Sequence, residues 1–153
     1  MAGIKWVVES DEISSGTSKV TILQVASPSG YRQAIREWSC SLNAPAGSPP
    51  CLVQVYRQSP AVSADGGTPV TIKKWNTQDG LSSHVTAEEN FDVSTQPTDD
   101  DELFGEEVAS VGGGYTWQAP EGGEIILNPG EALGIVITAT VATKVKARFI
   151  GTE

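Results

Sequence analysis

The only histidine of this 153-residue sequence, His84, is the first place to look for chemistry. A Ser-His-Asp or Cys-His nucleophilic site would have to use it, and its neighbours Ser83 and Val85 place it in a polar loop or at a strand edge. No motif that would support catalysis surrounds it, which favours a solvated or structurally hydrogen-bonded side chain. One histidine and two cysteines cannot complete a tetrahedral zinc shell without carboxylates, so we expect no zinc site.

Carboxylates are the next candidates. The consecutive acids Asp99, Asp100, Asp101 and Glu102 offer the oxygen ligands that calcium takes. Adjacent carboxylates on an extended chain point apart, and the alternating spacing and glycine of an EF-hand loop are missing, which favours a solvated, mutually repelling loop.

A pair of acids such as Glu106 and Glu124 could serve as the two carboxylates of a glycosidase, but nothing specific in the sequence supports that pair. The pattern of residues therefore predicts a protein that is not an enzyme. We expect no catalytic, cofactor-binding or metal-binding residues.

Two cysteines, Cys40 and Cys51, flank the loop that runs from residue 41 to residue 50. A disulfide across neighbouring strands is geometrically possible. The other interpretation is a pair of small buried hydrophobic thiols in a reducing compartment. The sequence leaves both open.

Four tryptophans are many for a chain of this size. Trp38 shares one face of a predicted strand with Cys40 and Leu42, and we expect it in the core. Trp75 and Trp117 adjoin turns and are candidates for exposed platforms on which a sugar ring could stack. Burial is the competing interpretation, because most tryptophans in proteins are largely buried.

Charge is distributed unevenly along the chain, whose net charge is −9. Between Trp75 and Thr143 there is no lysine or arginine, and this stretch holds thirteen of the 19 acidic residues. Such a surface repels DNA, RNA and anionic lipid, so we expect neither a nucleic acid nor a membrane as partner.

A basic stripe is predicted near the C-terminus, where Lys144, Lys146 and Arg148 alternate with apolar residues. Such a row is commonly the solvated side of a half-buried sheet. The alternative is that it pairs with the acidic region of a neighbouring subunit, in a head-to-tail contact that can close a ring.

The elements that position these residues are predicted to be short β-strands. The apolar residues are rich in Val and Ile, and 16 glycines and nine prolines are spread along the chain, so strands are short and turns are many. No window of a dozen residues has a convincing helical period, and the best helix candidate, residues 87–90, is one turn at most. We therefore predict an all-β fold: an antiparallel two-sheet jelly-roll sandwich of about eight to ten short strands, with little or no helix, forming one domain over residues 1–153.

Alternation of apolar and polar residues is clearest in the last predicted strand, where Val145, Ala147 and Phe149 should face the core. A strand is also predicted over residues 70–75, whereas residues 76–101 are the least regular part, with a short β signal around Val85. The other predicted strands cover residues 5–9, 20–25, 34–42, 51–57, 103–111, 115–118, 124–127 and 133–139. The N-terminus has no basic region followed by an apolar one, so we expect no signal peptide and a protein made in a cytoplasm.

Several segments together carry a family resemblance. They are Leu103-Phe104-Gly105-Glu106, Gly113-Gly114-Tyr115 with Trp117, the run 126–134 with its Pro-Gly-Glu-x-Leu-Gly turn, and the segments 36–42 and 52–57. Over about half of its length the chain resembles a group of small tailed-bacteriophage proteins in which that turn joins the last strands of a jelly roll.

The resemblance implies a capsid decoration, or cement, protein. Such proteins are structural components of the virion that sit on the capsid exterior, commonly as homotrimers, and clamp the major capsid protein shell against internal DNA pressure without catalysing a reaction. Assembly would take place in the host cytoplasm. The competing hypothesis is a carbohydrate-binding or adhesin β-sandwich module of a virion, motivated by the tryptophans and the acidic loops.

Overall fold

A computed structural model describes residues 3–59, 66–75 and 83–153, and all regular structure in these ranges is β-strand. Three of the strands, β2, β6 and β7, have only two residues each, too short to leave a periodic pattern, and they raise the count to thirteen, above the eight to ten predicted. In chain order the strands are β1 (Lys5–Glu9), β2 (Ile13–Ser14), β3 (Val20–Ala26), β4 (Gln33–Asn43), β5 (Cys51–Ser59), β6 (Thr68–Pro69), β7 (Lys73–Lys74), β8 (Thr86–Glu89), β9 (Thr98–Val108), β10 (Val111–Gln118), β11 (Ile125–Leu127), β12 (Ala132–Thr138) and β13 (Lys144–Thr152).

The strands form two antiparallel sheets. Sheet A has the order β10-β4-β13-β1-β7, with β11 paired to β4 and β2 paired to β13. Sheet B has the order β6-β8-β3-β12-β5-β9. The eight main strands therefore have the orders β1-β13-β4-β10 in sheet A and β3-β12-β5-β9 in sheet B, which is the arrangement of a jelly roll. The predicted all-β, two-sheet jelly-roll fold is confirmed.

The core lies between the sheets and is built by the period-two pattern of the strands. In β13, Val145, Ala147 and Phe149 are buried, as the alternation predicts. Trp6 and Trp38 are also fully buried, and the Trp6 Nε1–H donates a hydrogen bond of 2.9 Å to Gln33 Oε1. The largest side chains of the core are Trp6, Trp38, Phe149, Ile22, Leu23, Ile35, Leu127, Leu133, Ile135 and Ile137.

A β-bulge at Arg36 explains why the alternation in β4 breaks. Ile150 of β13 lies opposite Glu37, and the next residue, Gly151, lies opposite Ile35, so Arg36 is the extra residue. The buried face consequently changes phase, from Gln33 and Ile35 before the bulge to Trp38 after it.

The strand predicted over residues 70–75 is wrong in extent. Only Lys73–Lys74 is a strand there, and it pairs with β1 in sheet A, whereas β6 just before it pairs with β8 in sheet B. The chain thus crosses from the edge of one sheet to the edge of the other within a few residues. A continuous strand cannot belong to both sheets, so the local β propensity is overruled by the crossing.

Residues 87–90, the best helix candidate in the sequence, are not helical, in agreement with the prediction of little or no helix. Residues Thr86–Glu89 form β8, which pairs with β3, and Ala87, Glu88 and Glu89 are buried there. Their helix propensity is worth only tenths of a kcal/mol each, whereas pairing with β3 provides a full ladder of hydrogen bonds. Asn90, with φ of 53°, ends the strand.

The acidic run Asp99, Asp100, Asp101 and Glu102 is not a loop, contrary to expectation. It forms the first half of β9, the edge strand of sheet B. Residues 90–97 connect β8 to β9, which lie toward opposite sides of that sheet. Within this connection, Gln96 Oε1 accepts a hydrogen bond of 2.6 Å from Thr21 N in β3. The stretch expected to be irregular, residues 76–101, is described only from residue 83 onward.

Candidate functional site

A cleft opens between the two sheets on the side of the sandwich where β9, β10 and β11 lie. Its volume is about 430 Å³, within the range of small-ligand pockets. Trp38 and Val55, both buried, belong to its inner wall, while Leu103 of β9 is 43% exposed at its mouth. The remaining lining residues are Arg57, Phe104, Trp117, Glu124, Ile125 and Ile126.

Aromatic rings form one continuous wall of this side of the molecule. The ring centroids of Trp38 and Phe104 lie 4.9 Å apart in an edge-to-face arrangement, and those of Trp38 and Tyr115 lie 5.3 Å apart in a stacked one. Phe104 and Tyr115 are 4.6 Å apart. Aromatic pairs at these separations stabilise one another beyond their burial, so the wall is a preformed apolar surface.

Bulges in the two edge strands shape the cleft. In β9, Phe104 lies opposite Val55 and Glu102 lies opposite Tyr56, so Leu103 is an extra residue. The bulge is the reason why adjacent residues Leu103 and Phe104 both line the same cleft.

In β10, the register shifts between Val111 and Gly114. A Cβ added at Gly114 would lie 2.6 Å from the Cys40 carbonyl oxygen, and Gly112 has φ of 68°, so this part of β10 requires glycines. The glycines allow β10 to approach β4 closely just before Tyr115, which stacks on Trp38, and Trp117, which lines the cleft.

Arg57 is the cation of the cleft, and its guanidinium is held by the chain itself. Nη1 and Nη2 each donate to the Ile126 carbonyl oxygen at 3.1 Å, and Nη1 also donates to Glu131 Oε2 at 3.0 Å. The backbone N–H of Asn128 donates to the same carboxylate at 2.8 Å. This hydrogen bond from Asn128, together with Arg57, lowers the pKa of Glu131 against the opposing effect of its burial.

An acidic depression adjoins the cleft and shares Arg57 with it. Asp100, Asp101 and Glu131 line it, and Asp100 and Asp101 are exposed. Glu124, half-buried in the cleft, lies 3.7 Å from the Arg36 guanidinium. The cleft therefore has an apolar interior and, at Asp100 and Asp101, an acidic rim, which would attract a group with an apolar body and positive charge beside it.

The other two acids of the run are tied to their neighbours. Asp99 lies 2.7 Å from Lys19 Nζ and accepts from Gln58 Nε2 at 2.8 Å. Glu102 Oε2 accepts from the Tyr56 hydroxyl at 3.1 Å. Over the ranges that the structure describes, no group of three or more His, Cys, Asp or Glu side chains is arranged to hold a metal ion.

The acids considered as a glycosidase pair are not brought together in the cleft. Glu124 lines it, whereas Glu106 is an exposed residue of β9 that does not. Trp117 is half-buried and lines the same cleft.

Trp75 lies at the other side of the sandwich, next to β7, and is 61% exposed. Its backbone N–H donates to the Lys5 carbonyl oxygen at 2.9 Å, which extends the β1–β7 ladder by one residue. Of the two tryptophans considered as platforms, Trp75 is thus an exposed side chain, whereas Trp117 lines the cleft.

His84 is structurally hydrogen-bonded. Its ring stacks on Tyr31 with the centroids 3.7 Å apart, and its Nδ1 lies 2.7 Å from Glu153 Oε1. Burial raises the pKa of Glu153, but hydrogen bonds from Gln33 and His84 outweigh it and the net shift is downward. Ser83 is in contact with the same carboxylate, at 3.4 Å.

The basic stripe of β13 is largely neutralised within the chain. Lys146 lies 2.6 Å from Glu9, and Arg148 lies 2.7 Å from Glu37, so the two cations pair with acids on the neighbouring strands β1 and β4. Lys144 is exposed.

Both cysteines are buried free thiols, so no disulfide joins them in this structure. Cys40 belongs to β4 in sheet A and Cys51 to β5 in sheet B, so they lie on different layers of the sandwich. Burial raises the pKa of the Cys40 thiol to about 11.

Sequence reasoning missed Arg57 and the Tyr31–His84–Glu153 cluster. Arg57 ends the predicted strand 51–57, and the sequence pattern does not indicate that it is held by Ile126 and Glu131, which lie 69 and 74 positions away. The cluster joins residues more than fifty positions apart, and no local pattern indicates such a contact.

Comparison with known proteins identifies no relative: no family model, no curated protein and no solved structure matches the chain. The described residues also include no helix of the length and apolarity that a membrane span requires.

Proposed function

We propose that this protein is a capsid decoration protein, a structural component that binds the outside of a phage head as a homotrimer. The observation that carries the proposal is the open aromatic cleft with its acidic rim on the β9–β11 side of a jelly roll. Apolar surface that stays open to solvent beside a charged rim is typical of protein interaction sites.

The distribution of charged groups supports a structural role. Five of the ten lysines and arginines pair with acids of the same chain, among them Lys146 with Glu9, Arg148 with Glu37 and Lys19 with Asp99. Glu106 and Glu107, exposed acids of β9 that line neither the cleft nor the depression beside it, would face a protein partner of complementary charge such as a shell of the major capsid protein. Individual contacts can be weak, because many copies on one shell act together.

The test has two parts. The purified chain is first sized by light scattering on a sizing column at micromolar concentration, where we expect a trimer. It is then mixed with expanded shells assembled from the major capsid protein of the phage that encodes it, and sedimented. We expect saturable cosedimentation; a chain that is strictly monomeric and stays in the supernatant would refute the proposal.

A second candidate is a carbohydrate-binding or adhesin module, which the exposure of Trp75 and the half-burial of Trp117 favour. Tryptophan faces stack on sugar rings, and stacking changes indole fluorescence. A glycan panel read by tryptophan fluorescence, with and without calcium, tests this candidate. Silence across the panel would remove it, and a response lost in Trp117→Ala but kept in Trp75→Ala would place the sugar in the cleft.

A further inference from the structure

The two lateral edges of the sandwich differ in shape. In sheet A, β7 lies at one edge and β10 at the other. Trp75, next to β7, projects into solvent with 61% of its surface exposed, whereas the β10 edge borders the cleft of about 430 Å³. One edge thus carries an indole knob, and the opposite edge carries an apolar cavity with room for an indole.

The two edges also differ in charge. Lys73 lies two residues from Trp75, and the Trp75 N–H bonds to the Lys5 carbonyl on the adjacent strand, so both lysines flank the indole. Both lysines are exposed, and within the described ranges neither forms an ion pair. Glu9, whose pKa is lowered mainly by its hydrogen bond from Lys146, is the nearby acid of β1 and is already paired.

The cleft edge carries the complementary charge. Asp100 and Asp101 are exposed beside the cleft, whereas Glu124 within it pairs with Arg36. Leu103, 43% exposed at the mouth, adds apolar surface to this edge.

We propose that copies of this chain associate head to tail, with Trp75 of one copy seated in the cleft of the next and Lys5 and Lys73 facing Asp100 and Asp101. This inference rests on the proposed function, because three such contacts, one per copy, would close the decoration trimer. The contact is heterologous, since knob and cavity are different surfaces of the same chain. A buried tryptophan at the centre of an interface commonly dominates its affinity.

Charge complementarity selects a second copy over a glycan as occupant of the cleft. A neutral sugar ring would use the aromatic wall but not the acidic rim, and it would leave the lysines beside Trp75 unexplained. The contact differs from the head-to-tail pairing that the sequence offered as an alternative, because Lys146 and Arg148 of the basic stripe are neutralised by Glu9 and Glu37.

The experiment compares a knob variant, Trp75→Ser, with a cavity variant, Leu103→Glu. Both positions are exposed in the single chain, so neither change disturbs the core, and circular dichroism checks that both variants fold. Light scattering should find the wild-type chain assembled, with association weakened at least about 30-fold in each variant. Two controls, Val93→Ser for an exposed apolar residue and Lys144→Glu for an exposed lysine, should assemble like the wild type.

Mixing the two variants distinguishes a head-to-tail contact from a symmetric one. The knob variant retains its cavity and the cavity variant retains its knob, so the mixture should form a one-to-one dimer that cannot close a ring. In a symmetric interface the two variants would associate with each other no more strongly than each associates with itself.

The charges are tested by the double variants Lys5→Glu/Lys73→Glu and Asp100→Lys/Asp101→Lys, which should each remain monomeric and should assemble with each other.

The possible failures separate this inference from the proposed function. Assembly that persists in Trp75→Ser and Leu103→Glu, or a wild-type chain that stays monomeric at every concentration, overturns the head-to-tail contact. Sedimentation of the wild-type chain with capsid shells decides the decoration role independently. If the wild-type chain assembles with itself but does not sediment with capsid shells, only the decoration role is refuted.

Discussion

Gly134 of β12 lies directly beneath the side-chain amide of Gln58, which reaches over it from β5; a Cβ at position 134 would overlap that amide. The amide joins strands on both sides. Gln24 Nε2 donates to Gln58 Oε1 at 2.8 Å, and Gln58 Nε2 donates to Thr21 Oγ1 at 2.9 Å and to Asp99 at 2.8 Å. The glycine therefore makes room for a buried polar layer on sheet B that ties β3, β5 and β9 together.

Gly134→Ala should destabilise the fold because the new methyl group displaces Gln58 and breaks this buried network. Overpacking of this kind costs about 1–3 kcal/mol of unfolding free energy. Urea denaturation measures the change. In a Gln58→Ala background the overlap is absent, so the same substitution should cost much less, and equal costs in both backgrounds would refute the packing explanation.

Gln33→Leu should destabilise the protein by about 1–3 kcal/mol, because it leaves the fully buried Trp6 Nε1–H without an acceptor. The same change removes the Gln33 Nε2 donor of the Glu153 carboxylate, at 2.9 Å. Thermal unfolding followed by circular dichroism gives the comparison. Gln118→Leu, which removes an exposed hydrogen bond to Glu37, is the matched control and should change stability by less than about 0.5 kcal/mol.

Cys40 should not react with thiol reagents while the protein is folded at pH 8. Its pKa is raised to about 11 by burial, so almost no thiolate is present at that pH, and the side chain is also out of reach. Titration with a chromogenic disulfide should label no cysteine in buffer and two in urea. Labelling of the folded protein at the unfolded rate would contradict the buried position.

The raised Cys40 pKa also predicts a loss of stability in alkali. Because the folded state holds the proton more tightly than the unfolded state, unfolding releases a proton between the ordinary thiol pKa of about 8.5 and the folded value. Stability should therefore fall as the pH rises from about 9 towards 11. Denaturation curves at several pH values measure this slope, which should be shallower in Cys40→Ala.

Glu131 should contribute to stability at neutral pH and lose that contribution in acid. Its pKa in the folded state is lowered, first by the backbone hydrogen bond from Asn128. The contribution of Glu131 to the free energy of unfolding is therefore complete above its pKa in the unfolded state, and it is lost as the pH falls through its pKa in the folded state. Glu131→Gln should be less stable at pH 7 and should show a flatter stability profile below about pH 5. Glu121→Gln, at an exposed acid of the preceding turn, is the control and should retain the wild-type profile.

The sequence by itself determined the fold class and most main strands. In β13, β12 and β5 the side-chain alternation is a local property, because neighbouring residues of a strand must face opposite sides of a sheet. For the same reason the core position of Trp38 followed from its spacing to Cys40 and Leu42. The bulge of β4 at Arg36 does not follow from such local alternation, because it is defined by the pairing with β13.

Only the tertiary structure decided what lies at the edges. Residues Thr86–Glu89 have the composition of a helical turn, and they became a strand because β3 offers them a ladder. The acids Asp99 to Glu102 became an edge strand because β5 pairs with them across more than forty residues. The placement of Trp75 at one edge and of the cleft at the other depends on strand order, which arises from contacts between distant segments and leaves no periodic trace in the sequence.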